Sequence, residues 1–184
     1  THLVVPQWIR LKKDVEDEFY ASFFGNELST PKIHAKKNTL TDLSLGITAT
    51  DHFAENRIAF LSTIAIFLNK NGIETGKICI NDHKKVNRYK QPTKIYKLLI
   101  SKKFENVINF ITLIKLNYCE HKPKKLARTM KEFTEIKKKR IAEMDKEGYS
   151  YEMILKKLQL TPAALEIIEN EVNFHNLLNE GVKP

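Results

Sequence analysis

A dense run of basic side chains in the middle of the chain is the part of the sequence best suited to binding chemistry. Residues 77–103 contain nine Lys and Arg residues and a single acid, Asp82. Ordinary protein surfaces mix the two signs of charge more evenly. A patch of one positive sign attracts polyanions, and the phosphate backbone of a nucleic acid is such a partner. The run therefore predicts a nucleic-acid contact, and an idle solvated face is the structural alternative.

The whole chain shares this positive balance. Its 184 residues include 31 Lys and Arg against 22 Asp and Glu, which gives a formal net charge of +9, and 42% of the residues are hydrophobic. That apolar content is enough for a folded core. A membrane-spanning helix needs roughly 20 apolar residues. The most hydrophobic stretch, Ile58 to Leu68, is shorter and contains Ser62 and Thr63. We therefore expect no membrane partner and favour a nucleic acid.

The two cysteines bear on the cellular compartment in which the chain is found. Cys79 and Cys119 lie far apart, and their spacing fits neither a zinc site nor a disulfide framework. We expect free thiols and an intracellular, cytoplasmic location. The sequence also lacks a Gly-rich phosphate loop, a nucleophilic triad and a Cys/His metal cluster, so it shows no sign of the chemistry that those motifs perform.

Hydrophobic periodicity predicts the elements that position the basic residues. Helical spacing begins at Asp14 and returns over 54–71 and 104–116. Polar and apolar residues alternate, as in half-buried strands, over 32–36, 43–48, 76–81 and 93–100. The predicted order is αββαββα, an α+β fold. Both hairpins would lie in one antiparallel sheet with helices on one face.

Composition divides the chain into an extended lead-in (1–14), the αββαββα unit (15–120) and a charged helical tail (121–184). In the tail, Gly148 separates a long helix from two short ones that resemble a helix-turn-helix. The last helix carries acids that would repel phosphates, namely Glu166, Glu169 and Glu171. Two roles stay open for the tail: DNA contact through residues 137–140, and packing or dimerisation.

The sheet face opposite the helices is predicted to be exposed and basic. Along the strands, basic and polar side chains alternate with apolar residues such as Ile33, Ile78 and Ile80 and so point the other way. We interpret this face and the basic loop beside it as a nucleic-acid footprint. The predicted contacts are Lys32, His34, Lys36, Thr48, Lys77, Asn81, Lys84, Lys85, Arg88, Lys94 and Lys97.

Residues 20–28, Tyr-Ala-Ser-Phe-Phe-Gly-Asn-Glu-Leu, resemble the LAGLIDADG motif of homing endonucleases and intein endonuclease domains. Ala21 falls on the motif's Ala, and Glu27 falls on its second acidic position. The lead-in at 5–9 is similar to the one before the second repeat of two-repeat members. The resemblance extends from residue 1 to about residue 126 and follows the αββαββα order. Its further matching segments are 43–51, 54–71, 95–101, 105–110 and 121–126.

The resemblance implies a DNA endonuclease in which two motif helices pack together and each supplies one carboxylate to a shared metal site. Glu27 would be that carboxylate here, and the metal would be Mg²⁺ or Mn²⁺, which activates water and stabilises the developing phosphate charge. The implied basic catalytic residue is Lys97 or Lys102, and the sheet would lie in the major groove of double-stranded DNA. The implied packing surface of the motif helix consists of Ala21, Ser22, Phe24 and Gly25.

One repeat supplies only one carboxylate, so the resemblance requires a partner. The partner is either a second copy in a homodimer or a missing or separate N-terminal repeat, and the lead-in favours the second. Leu28 stands where the motif ends in Gly, a departure that bears on cleavage more than on DNA binding. The alternative function is a catalytically inactive DNA- or RNA-binding protein, a regulator or a maturase. A helical interaction protein with incidental charge is a third reading.

Overall fold

The computed structural model describes residues 2–34, 39–116 and 119–170, without the side chains of His83 and Lys84. The helices in these ranges are α1 (Lys13–Glu27), α2 (Ala54–Lys70), α3 (Phe104–Leu113), α4 (His121–Lys146), α5 (Tyr151–Leu158) and α6 (Pro162–Glu169). The strands are β1 (Leu28–Ser29), β2 (Ile33–His34), β3 (Thr39–Leu40), β4 (Leu43–Ala49), β5 (Thr75–Val86) and β6 (Pro92–Ile100). The predicted α+β class is confirmed.

Four of the strands form one antiparallel sheet in the order β1-β4-β6-β5. β4 pairs with β6 from Leu43 opposite Ile100 to Ala49 opposite Lys94. Every second residue along these strands faces the core, because side chains alternate across a pleated sheet. The residues on that face include Leu43, Leu45, Tyr96, Leu98 and Ile100, all at most 1% exposed. The antiparallel sheet predicted from the alternation is therefore confirmed.

The first predicted strand does not join this sheet. The edge strand is β1, with Leu28 opposite Leu45, instead of a strand over 32–36. β2 and β3 form a separate ladder, which Lys32 extends by donating its amide to Thr41 Oγ1 at 2.8 Å. Pro31 lies between the two ladders and has no amide hydrogen to donate, so β1 cannot continue along β4. Residues 35–38, including Lys36, lie outside the described part.

An aromatic cluster fixes α1 against the rest of the core. Tyr20 stacks on Phe67 of α2 with 3.8 Å between ring centroids, and Phe24 meets Phe110 of α3 edge-on at 5.4 Å. Tyr20 and Phe24 have no exposed surface. Burying each ring contributes roughly 2–3 kcal/mol. This packing sets where α1 ends, and therefore where Glu27 lies.

The N-terminal segment is anchored on α2, which corrects the prediction of an extended lead-in. Gln7–Leu11 forms a short 3-10 helix with Ile9 buried. The backbone of Leu3 makes two hydrogen bonds with the side chain of Asn56, at 2.8 and 2.9 Å. These bonds satisfy backbone groups that an unattached segment would leave to water.

The tail shares one continuous core with the αββαββα unit. Leu126, Met130 and Phe133 of α4 belong to the same buried cluster as the sheet residues, and Phe133 stacks on Phe104 of α3 at 5.7 Å. Thr161, at the start of α6, is hydrogen-bonded to Glu105. α4 spans 26 residues but is strongly charged. Across the described residues, no helix is both long and apolar enough to cross a bilayer.

Candidate nucleic-acid interface

One face of the sheet is open to solvent over β4, β6 and β5. Its side chains are those that alternate with the buried ones, and the register places them in rows across the strands. In one row, Lys97 lies between Gly46 and Cys79; in the next, Ile95 lies between Thr48 and Asn81. Thr48 and Asn81 are exposed, as is Gly46, so this side of the sheet is accessible. We call the residues of these two rows the open face.

Lys97 is the cation at the centre of the open face. A Cβ placed on its neighbour Gly46 would lie 3.9 Å from Lys97 Cγ and 3.6 Å from Ile95 Cγ2, which is ordinary contact distance. The aliphatic part of the lysine therefore rests beside bare backbone, with its ammonium free to reach outward. Within the described part of the chain, Lys97 forms no ion pair. Its charge is available to an external anion.

Glu27 lies at the edge of this same region. It is exposed and directly precedes Leu28, which pairs with Leu45 of β4. Extending that register by one residue brings Glu27 level with Gly46, whose other neighbour is Lys97. Two strand spacings separate Glu27 from Lys97, about 10 Å between backbones. Lys122 Nζ donates to the Asn26 carbonyl at 2.6 Å and so offsets the partial negative charge at the end of α1.

Lys94, another of the predicted DNA contacts, does not lie on the open face. It lies opposite Ala49, three residues from Lys97 and therefore on the other side of β6. Its Nζ pairs with Asp51 Oδ1 at 2.9 Å. The hydrogen bond to Asp51 and the negative charge of that carboxylate raise the pKa of Lys94. Most of its charge is already balanced within the chain.

The β5–β6 hairpin extends past the end of β4 and carries a basic tip. β4 ends at Ala49 opposite Lys94, whereas β5 and β6 continue to Val86 opposite Pro92. The turn is held by Asn87 Oδ1, which accepts from the amides of Tyr89 and Gln91 at 2.9 and 3.0 Å. The exposed cations at the tip are Lys85, Arg88 and Lys90. The predicted contact Lys84 lies outside the described side chains.

Tyr89 is a candidate contact that sequence reasoning missed. Its side chain is 66% exposed, and the Arg88 guanidinium lies 4.7 Å from the centroid of its ring. An exposed aromatic residue beside an arginine offers a stacking surface as well as charge. The signal was present in the sequence, since Arg88-Tyr89-Lys90 is an aromatic residue flanked by cations in a loop.

The remaining predicted contacts are spread over other surfaces. Lys32 and His34 are exposed on the small β2–β3 ladder rather than on the main sheet. Lys77 is exposed at the bulge in β5 between Thr75 and Ile78. Lys102 is exposed beyond the end of β6 and lines a cleft formed with α4 and α5. The structure thus brings Lys97 near Glu27 and places Lys102 elsewhere.

The predicted packing surface of α1 is largely covered by this chain itself. Phe24 has no exposed surface and Ala21 is 3% exposed. A Cβ on Gly25 would lie 3.4 Å from the Cβ of Cys119, so the segment before α4 covers the small residues of the motif helix. Of the predicted pairing residues only Ser22 is partly exposed. Phe24 is a core residue, because its ring fills the space between α1 and α3.

Glu27 is the carboxylate that the resemblance assigns to a magnesium site. Mg²⁺ is usually held by one or two carboxylates together with waters and substrate phosphates. Among the described residues, no three His, Cys, Asp or Glu side chains come together as a metal-binding group. In the shared site that the resemblance implies, the second carboxylate would therefore come from a partner.

Comparison of the chain with protein-family models, with curated proteins and with solved structures found no match. The likeness of residues 20–28 to the LAGLIDADG motif therefore stays a prediction.

Proposed function

We propose that this protein binds double-stranded DNA through the open face and the basic tip of the β5–β6 hairpin. The observation that carries the proposal is Lys97, which lies at the centre of the open face and forms no ion pair with the residues that the structure describes. Exposed Thr48 and Asn81 flank it in the neighbouring row. Hydrogen-bonding groups around a free cation suit a surface that reads base edges and neutralises phosphates.

The dimensions of the hairpin suit a duplex groove. The major groove of B-DNA is about 12 Å wide and admits a two-stranded ribbon. β5 has 12 residues, a length of about 40 Å at 3.3 Å per residue. In this arrangement Asn81 and Thr48 face bases, whereas Lys85 and Arg88 contact the backbone. The +9 net charge draws the duplex toward the protein and makes the affinity fall with salt.

The element order supports the resemblance as part of this proposal. α1 is followed by strands that include β4, then by α2, the β5–β6 hairpin and α3. When only the strands of the four-stranded sheet are counted, this order agrees with the αββαββα order that the resemblance implies, and the β2–β3 ladder lies between β1 and β4. Two free thiols, Cys79 and Cys119, accord with an intracellular location for a DNA-binding protein.

Metal-dependent cleavage is a second candidate function, favoured by the exposure of Glu27 beside the open face. It requires a partner carboxylate, from a second copy or from a separate N-terminal repeat. Mg²⁺ or Mn²⁺ would then supply activated water and charge stabilisation at the phosphate. The covered surface of α1 weighs against this candidate, because Cys119 would have to move away from Gly25 before a second helix could pack there. Binding without cleavage is thus the better supported function.

Titration of a labelled random-sequence duplex tests the proposal. Binding should weaken steeply between about 50 and 200 mM salt, with log affinity linear in log salt concentration. An equal-length single strand and an RNA duplex serve as competitors. If the protein binds no duplex at low salt, DNA binding is refuted and the positive charge is an incidental property of the surface. Preference for the RNA duplex would favour the maturase alternative.

A further inference from the structure

A second basic site lies away from the open face, in a cleft of about 560 Å³ between the tail and the rest of the chain. It is bounded by the segment after β6, by β3 and by helices α4 and α5. Eight described residues line it; four are cations, Lys102, Lys137, Arg140 and Lys157, and none of the eight is an acid.

Lys137 is the distinctive member of the cleft because it is buried. It is only 4% exposed. Its ammonium donates to the Leu158 carbonyl at 3.0 Å and lies 5.1 Å from the centroid of the Phe133 ring. No carboxylate of the described residues pairs with it. Burial lowers the pKa of Lys137, and no acidic neighbour acts against that shift.

A buried cation with one carbonyl partner is expensive to maintain. An ammonium carries three N–H donors and a full charge, and the Leu158 carbonyl satisfies one donor without neutralising the charge. A purely structural position would be served as well by an apolar side chain of similar length. A lysine in this position is therefore suited to pair with a negative charge from outside the chain.

The surrounding cations add to the field in the cleft. Arg140 is partly balanced by Glu143 at 2.9 Å. Lys157 lies over the Tyr149 ring at 3.9 Å and forms no ion pair among the described residues. Lys102 is exposed and likewise unpaired within that part of the chain. Lys102, Lys137 and Lys157 therefore share one opening and form no ion pair with the described residues.

We propose that this cleft binds a phosphate group, with Lys137 at its base and Lys102, Arg140 and Lys157 around its mouth. A multiply charged anion matches several cations converging on one volume, and arginine and lysine are the side chains that recognise phosphate. The phosphate has two possible sources, the backbone of a bound duplex and a small free phosphate. The inference does not depend on the open face, because the two sites share no residue.

The first arm of the test uses inorganic phosphate and pyrophosphate with the full chain, followed by thermal unfolding and calorimetry. Sodium chloride at equal ionic strength is the blank. Lys139→Met is the matched control, because Lys139 is exposed on α4 and does not line the cleft. We expect both anions to raise the Tm of the wild type and of Lys139→Met. Lys137→Met should lose at least about tenfold in affinity.

The second arm measures duplex affinity for the wild type, Lys137→Met and Lys131→Met, because exposed Lys131 of α4 lies outside both the cleft and residues 137–140. A backbone source predicts weaker duplex binding by Lys137→Met than by Lys131→Met. A free-phosphate source predicts equal duplex binding with the phosphate response still lost. If Lys137→Met does not fold, the exposed pair Lys102→Ala and Lys157→Ala supplies the same comparison.

Three results would overturn the proposal. The first is no response of the wild type to either anion, and the second is an equal response in the Lys137 and Lys139 variants. The third is a Lys137→Met protein that is less stable but binds phosphate as before, as loss of a cap on α5 would produce. A wild type that binds phosphate but no duplex would leave the cleft standing and would remove the DNA-binding function instead.

Discussion

Lys97 lies directly opposite Gly46 in the β4–β6 pair, so this cation of the open face has bare backbone beside it. A larger residue at position 46 would meet the lysine stem at ordinary contact distance rather than in a clash. Position 46 is therefore a place where charge can be added next to Lys97 without disturbing the sheet.

Gly46→Glu should weaken duplex binding about tenfold, because a carboxylate beside Lys97 neutralises it and repels phosphate. Gly46→Gln, which has the same shape without the charge, should lose far less. Fluorescence anisotropy with a labelled duplex measures both, and urea unfolding checks that the two variants are equally stable. Identical losses would show that size alone matters there and would remove the electrostatic role of Lys97.

Lys97→Met and Lys94→Met form a matched pair on opposite sides of β6. Lys97→Met should lower duplex affinity several-fold and reduce the salt slope by about one. Lys94→Met should change neither quantity appreciably, since Asp51 already balances that charge at 2.9 Å. The slopes come from titrations at several salt concentrations. Equal effects in the two variants would contradict the assignment of the open face as the binding surface.

Arg88→Ala at the hairpin tip should also weaken duplex binding and flatten its salt dependence, because the guanidinium is exposed beyond the end of β4. Arg128→Ala is the control, since Arg128 is an exposed arginine on α4 paired with Glu132 at 2.9 Å. Gel retardation across a salt series measures both. If Arg88→Ala leaves the slope of log affinity against log salt concentration unchanged, the hairpin tip is not part of the DNA interface.

Glu27→Gln distinguishes binding from cleavage. The variant should bind duplex at least as tightly as the wild type, because it removes a negative charge at the edge of the open face. If Mg²⁺ or Mn²⁺ supports cleavage by paired chains, Glu27→Gln should abolish the cleavage. If the pair is a homodimer, wild-type activity should rise with the square of the protein concentration. Cleavage that survives in Glu27→Gln would show that Glu27 is not the metal ligand.

Tyr20 gives a pH-dependent prediction for stability. Burial, followed by the negative charge of Glu16, raises the pKa of Tyr20 to about 12 from 10.0. Since the folded pKa lies above the unfolded one, this contribution is complete below pH 10 and is lost as the pH rises toward 12, at about 1.4 kcal/mol per pH unit. Tyr20→Phe should remove this loss from urea-unfolding curves.

The same variant should be no less stable than the wild type at pH 7, because the Tyr20 hydroxyl has no hydrogen-bond partner among the described residues. A Tyr20→Phe protein that is markedly destabilised at neutral pH would mean that the hydroxyl does make a stabilising contact.

Regular elements with strong periodicity were predictable from the sequence. The apolar spacing of 54–71 and the alternation of 93–100 reappear as α2 and β6 with shifts of one residue. The alternation also held the information that Lys94 and Lys97 face opposite ways, since they are an odd number of residues apart. Applied strictly, this odd spacing places Lys97 on the open face and Lys94, whose charge is balanced by Asp51, on the opposite face of β6.

Other features depend on contacts between distant residues. β1 has only two residues, and its pairing with β4 is reinforced by the hydroxyls of Ser29 and Ser44, which meet at 2.8 Å. Likewise, no local pattern shows that Cys119 covers Gly25 or that Lys137 is buried beneath α5. The segment before α4 supplies the first contact and the tail supplies the second. The sequence showed only charged helices in the tail, so its packing was left open.

The buried cluster that runs from the sheet into α4 makes the C-terminal helices inseparable from the strands. Leu126, Met130 and Phe133 close the side of the molecule that Phe104 would otherwise expose to water. A chain truncated after residue 120 would expose this apolar surface to water and would aggregate instead of forming a smaller functional protein. Substitutions on the outer surface of the tail therefore leave the shared core intact. The tail itself cannot be exchanged between proteins as an independent domain.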